Sequence, residues 1–270
     1  MRHIAAVALV LLVATTGVAC SDPSAPGTDP SVSATGPPSQ APSARLPNPS
    51  GQASPSQLLD LSNWELEIPV ASGGSDQPEK VNWPALDAYH SQYFHVNKAG
   101  SGTVFWANVG GAIIPGSMFA RTELRELADN GTRPASWSSV GTTNTMTIRE
   151  AITHLPTERP AIVAGQIHGA NTYVALIRLD GTRLWVKENN QSAGTLDPDY
   201  RLGTIFTVQL TAADGRILVY YNGMLKVNFA QVCSGCYFKA GAYLQSNVSY
   251  GDRPDAYGEV VIYSLDVSHH

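Results

Sequence analysis

Charge is scarce in this chain: only 14% of its 270 residues are Asp, Glu, Lys or Arg, and 17 Lys plus Arg stand against 22 Asp plus Glu. So little charge excludes a coiled coil, whose flanking heptad positions need it. A formal net charge of −5 argues against general nucleic-acid binding, so a polyanionic partner must meet a local basic patch. Helical periodicity is equally rare. From Leu58 onward the exceptions are a short helical candidate, Pro84 to Tyr93, and a poor helix-former segment near Leu58. The one long apolar run, Ile4 to Ala14, is too short to be read as a membrane span.

What is present divides the chain into three. Residues 1–20 read as an export signal: Arg2 and His3 precede the apolar run, and Thr15, Thr16, Gly17 and Ala19 lead to Cys20. Gly17-Val18-Ala19-Cys20 resembles a bacterial lipobox, which would make Cys20 a lipidation site; ordinary secretion is the alternative. Residues 21–57 hold nine of the 18 prolines, nine serines, no aromatic residue and three charges. Such a stretch cannot bury enough apolar surface to offset its ordering entropy and is expected to be a disordered tether. Residues 58–270 form one domain rich in Trp, Tyr, Val, Ile and Thr, a size and apolar content sufficient for a sizeable core.

Within that domain Asp180-Gly181, Asp214-Gly215 and Asn222-Gly223 each separate two β-rich runs, for instance Ile217 to Tyr221 and Leu225 to Phe229. These dipeptides suit tight hairpin turns, so the expected class is all-β, with two antiparallel sheets in a sandwich or jelly roll.

Three of the strands carry chemistry on one face. Period two places Arg121, Glu123 and Arg125 together, Gln166 with His168, and Tyr237, Lys239, Tyr243 and Gln245 together. If the apolar faces pack against a second sheet, these polar faces share one concave outer surface. Each strand alone has a structural explanation: a surface ion pair, a satisfied histidine, a packing tyrosine. Their joint occurrence favours a site for a long, acidic, polyhydroxylated ligand. Arg125 and Lys239 could hold carboxylates, Glu123 could fix the flanking guanidinium groups, and Gly241 would let a sugar ring approach the backbone.

Arg121-Thr-Glu-Leu-Arg125, Gln166-Ile-His168 and Tyr237-Phe-Lys-Ala-Gly-Ala-Tyr243-Leu-Gln245, in that order, resemble the motifs of alginate lyases of polysaccharide lyase family 7. The resemblance runs from about Asn63 to Val267 and implies a β-jelly roll with a concave cleft. Leu244 replaces the Asn often found there in the family, and by alternation it faces inward. The Ile form of the histidine motif is associated in the family with guluronate or mixed blocks. The resemblance further implies β-elimination. Arg121, Gln166 and His168 would neutralise the C6 carboxylate, Tyr243 would protonate the leaving O4, and His168 or Tyr243 would take the C5 proton according to the sugar. Glu123, Arg125, Lys239, Gln245 and Tyr237 fall to substrate binding, and no cofactor is required.

Cys233-Ser-Gly-Cys236 precedes the third motif; in an exported chain a disulfide closing that turn is preferred over a redox or metal motif. The expected partner is an acidic polysaccharide met by a monomer, with membrane contact only through a lipid on Cys20. His269-His270 receives no role. A glycoside hydrolase is a rival, but it needs paired carboxylates, and Glu65 with Glu67 lies on an expected edge strand. A non-catalytic carbohydrate binder or a lyase for another polyuronate such as glucuronan are the others. Asn108 to Ser117 and Asn189 to Tyr200 are expected to be loops that roof the cleft.

Overall fold

The computed structural model describes residues 53–270. The export signal, Cys20 and the tether up to residue 52 lie outside the described residues. The tether is expected to reach Gln57, yet Pro55–Gln57 already forms a 3₁₀ turn with Pro55 buried, so the folded part starts earlier.

Sixteen strands follow: β1 (Trp64–Ala71), β2 (Pro78–Asn82), β3 (Phe94–Val96), β4 (Thr103–Asn108), β5 (Arg121–Ala128), β6 (Arg133–Pro134), β7 (Asn144–His154) and β8 (Ala161–His168), then β9 (Tyr173–Asp180), β10 (Arg183–Glu188), β11 (Gln191–Asp197), β12 (Phe206–Ala213), β13 (Arg216–Tyr221), β14 (Met224–Ala230), β15 (Tyr237–Leu244) and β16 (Tyr257–His269). They build two antiparallel sheets. The first runs β11-β10-β9-β8-β15-β5-β1-β2, with β6 added to β5; the second runs β14-β13-β12-β7-β16-β4-β3. Leu124, Ile167, Phe238 and Ala240 of the first sheet bury against a core shared with Phe105, Ile148, Val208 and Val260 of the second. This is the two-layer jelly-roll sandwich that the alternation predicts.

The hairpin signals act where expected. Asp214-Gly215 and Asn222-Gly223 are two-residue loops with positive φ at both positions (51° and 67°; 49° and 80°), which matches the twist of the flanking strands. A fourth hairpin went unread. Asn189-Asn190 has φ of 43° and 61° and joins β10 to β11, so much of the expected Asn189–Tyr200 loop is an edge strand. The helical candidate shrinks to a 3₁₀ turn, Ala85–Ala88, because Leu86 is its only buried side chain and one anchor does not hold a helix.

One expectation about position fails. Glu65 and Glu67 are not on an edge, because β1 lies between β5 and β2 and pairs with both. His269 has a place in the sheet: it closes β16 opposite Asn144, its Nε2 lies 2.7 Å from Glu126 Oε1, and its Nδ1 lies 2.8 Å from Asn144 Oδ1. His270 exchanges backbone hydrogen bonds with Thr143. Cys233 and Cys236 are joined by a disulfide, at the turn that leads into β15.

Candidate active site

Strand registers place the polar side chains in rows across the outer face of the first sheet, since directly paired residues share a face. One row is Glu65, Arg125, Lys239 and Gln166, another is Glu67 with Glu123, and a third is Arg121, Tyr243 and Arg178, with Val163 between the last two. Tyr237 pairs with His168 at the side. Arg121, Gln166, His168 and Tyr243 therefore stand on one surface. The opposite faces of these strands are core: Leu124, Ile167, Phe238 and Leu244 are fully buried, the last as its alternation predicts.

Glu123 is the centre of the arrangement. It is completely buried and receives Lys239 Nζ at 2.5 Å, Arg121 Nη1 at 3.3 Å and a short hydrogen bond from Gln166 Nε2. Burial opposes its charge, but Lys239 and Arg121 outweigh burial and hold its pKa below the ordinary carboxylate value. Burial likewise draws the Lys239 pKa down, against Glu123. A carboxylate held by three donors aligns three side chains of three strands.

Arg121 is 6% exposed. Its Nη2 donates to Ser117 Oγ at 2.9 Å, its Nε stands 3.3 Å from Glu67 Oε1, and its guanidinium carbon lies 3.8 Å from the centroid of the Tyr243 ring. Ser117 Oγ is also 3.4 Å from the Tyr243 hydroxyl. One N–H on each terminal guanidinium nitrogen is left over. Glu67 is buried, and that burial raises its pKa in spite of Arg121 and Lys239.

His168 stacks on Tyr237 with ring centroids 5.0 Å apart, and Tyr237 in turn carries Arg125 4.1 Å above its ring. His168 Nδ1 lies 2.6 Å from the Gly169 carbonyl. A carbonyl only accepts, so Nδ1 carries the proton and Nε2 presents a lone pair. Burial lowers the pKa of the imidazole, which favours that neutral form.

Several expected roles change with position. Lys239, read as a substrate contact, is 5% exposed and committed to Glu123. Gln245 is equally buried and lies apart from the Glu123 cluster, accepting from Arg178 Nη1 at 2.6 Å, while Arg178 is clamped by Asp180 at 2.7 Å. Gly241 does not open the cleft to a sugar. Its φ is +138°, and a Cβ there would meet Thr122 O at 2.6 Å and Phe105 Cδ1 at 2.8 Å, so the glycine permits a close approach of β15 to β5 and the core at a register shift. Ser117 and Arg178 escape the sequence reading, which sees Glu67 only as half of a hydrolase carboxylate pair. Arg178-Leu-Asp180 carries the same period-two charge signal as Arg121-Thr-Glu123 and could have been found by it. Of the loops expected to roof the cleft, the first does reach the site through Ser117.

An antiparallel sheet bearing a buried Arg, Lys and Gln around one carboxylate, with a tyrosine against the arginine and a histidine on the same face, points to a jelly-roll polysaccharide lyase. A family model described as alginate lyase matches residues 59–269, and the chain belongs to that family. Among solved structures it is similar to alginate lyase AlgAT5 from polysaccharide lyase family 7, with 48% identity and a TM-score of 0.78 over 81% of this chain and 100% of that one. An alginate lyase from Corynebacterium sp. is 40% identical, with a TM-score of 0.76, covering 80% of this chain and 98% of that one. An alginate lyase from Klebsiella pneumoniae is 23% identical over 83% of this chain and 94% of its own length.

Proposed function

We propose that this protein cleaves alginate by β-elimination, leaving a 4,5-unsaturated uronate at the new non-reducing end. The observation that carries this reading is the Glu123 cluster: it holds Arg121 and Gln166 side by side, on the same face of one sheet as Tyr243 and His168. Abstraction of the C5 proton puts negative charge on the C6 carboxylate. Arg121 and the second amide N–H of Gln166 are fixed in advance to meet it, and such preorganised electrostatics is usually the largest catalytic contribution.

Tyr243 supplies the proton to O4. For mannuronate, where proton and leaving group lie on the same side, it also serves as base; for guluronate the Nε2 lone pair of His168 takes the C5 proton from the other side. Each positioned proton-transfer group contributes about 10²- to 10⁴-fold in rate. Lys239 acts as a positioning residue through Glu123, and Arg125 with Tyr237 contacts the neighbouring sugar. Hydrolysis is disfavoured, since Glu123 is sealed by three donors and Glu65 is bonded to Lys80 at 2.7 Å. The lipobox-like Gly17-Val18-Ala19-Cys20 supports export, with the enzyme secreted or lipid-anchored at a bacterial surface.

The test is a panel of polyuronates followed by ultraviolet absorbance of the unsaturated ends. Absorbance should rise with alginate. A rise with glucuronan alone would move the substrate, new reducing ends without absorbance would indicate hydrolysis, and binding without either would leave a lectin.

A further inference from the structure

Row Gln166, Lys239, Arg125, Glu65 continues across the sheet to Asn82 of the edge strand β2, and there the face does not simply end. A cavity of about 380 Å³ opens at that corner, walled on one side by Lys80 and Asn82 and on the other by Thr132 and Arg133, with Arg125 and Glu65 at its base. The second wall is the β5–β6 hairpin. Its tip is seated firmly: a Cβ on Gly131 would meet Trp83 Cβ at 2.9 Å and Ser62 O at 3.1 Å, and the tip residues Asp129, Asn130 and Gly131 hold φ of 53°, 55° and 75°. The wall is therefore preformed.

Three cations, Lys80, Arg125 and Arg133, line this corner against one carboxylate, Glu65. Glu65 is bonded to Lys80, and Arg133 is paired with Asp129 on its own hairpin. Arg125 has no carboxylate within ion-pair distance among the described residues; its guanidinium lies over Tyr237 and its Nη1 donates to the Glu126 carbonyl. The lining is thus net positive in a chain whose net charge is −5. Hydroxyl and amide groups, Thr132 and Asn82, stand beside the cations, the mixture that a polyhydroxylated anion uses. Arg125 lies four residues along β5 from Arg121, about 13 Å at the strand rise. Lys80 and Asn82 stand two strands further out, on β2 beyond β1, so the corner is set apart from Arg121.

We infer that this corner is a distal subsite for a uronate unit of the polymer, in which Lys80 and Arg133 determine the preference for long, anionic chains over short ones. The inference rests on the polyuronate-cleaving reading above. Binding energy collected here, away from the reacting bond, would act on capture of the polymer and on where along it the cut falls.

The experiment compares wild type with the double variant Lys80→Ala/Arg133→Ala on defined alginate oligosaccharides, from trimers to octamers, with ultraviolet detection and product sizing. Both side chains are about half exposed, 51% and 59%, so their truncation leaves the core untouched. The ratio of kcat/KM for octamer to that for trimer should fall roughly tenfold, as expected for loss of charge-assisted contacts. The product distribution should shift, and the loss should fade in high salt. A Lys80→Glu variant should deepen the loss. An unchanged octamer-to-trimer ratio and unchanged products, in an enzyme that still cleaves alginate, would overturn the subsite. A wild type inert on every alginate substrate would instead overturn the activity itself.

Discussion

In the proposed mechanism Tyr243 carries chemistry and Glu123 carries architecture. Tyr243 presents its hydroxyl at the open face beside Ser117 and Arg121. Tyr243→Phe should abolish turnover while polymer affinity by calorimetry stays within a few-fold, since only one hydroxyl is lost; wild-type turnover by that variant would remove Tyr243 from the mechanism. Glu123 touches no solvent, and its removal strands two buried cations. Glu123→Ala should cost roughly 3–5 kcal/mol in denaturant unfolding and lower kcat by at least about a hundredfold, the scale for breaking a buried ion pair at a preorganised site. His168 gives a pH signature. Burial lowers its pKa, so the neutral, base-competent imidazole persists below the ordinary histidine value and is lost only on further acidification. On guluronate-rich substrate the acid limb of kcat/KM should fall below pH 6.5, and His168→Asn should remove both the limb and most of the rate.

At the scale of the element, the strands were largely legible because period two sorts Arg121-Glu123-Arg125, Gln166-His168 and Tyr237-Lys239-Tyr243 onto one face without tertiary information. What was illegible depends on neighbours. Glu67 reads as an ordinary strand glutamate until β5 is paired beside β1, and Ser117 reads as loop until the chain turns it under Arg121. The Asn189-Asn190 hairpin was missed because two asparagines signal left-handed φ less strongly than Asn-Gly. Gly241 shows the limit of face counting: alternation assigns it to the cleft side, but its missing Cβ points at Thr122 and Phe105. Gly241→Ala should therefore destabilise the fold by about 2 kcal/mol or more through strain at positive φ, measured by urea unfolding, and displace Tyr243 two residues on.

Across the whole molecule one buried group works against the rest. Glu150 of β7 is fully buried between the sheets without a hydrogen-bond partner for either oxygen, and burial pushes its pKa up from 4.5 to about 8. The folded state thus binds this proton more tightly than the unfolded chain. The stability it permits is complete below about pH 4.5 and is lost as pH rises through about 8. Glu150→Gln should flatten the fall of Tm across that window and raise Tm at pH 8, whereas an unaltered profile would place the loss elsewhere. Disulfide, hairpins and core build the platform; the catalytic account concerns four side chains upon it. Its most direct test is a crystal structure of the Tyr243→Phe protein with an alginate tetrasaccharide. One uronate carboxylate should sit against Arg121 and Gln166, with His168 on its C5 side and its O4 facing residue 243. A saccharide bound on the opposite sheet, or lying in the cleft with its carboxylates turned away from Arg121, would contradict the account.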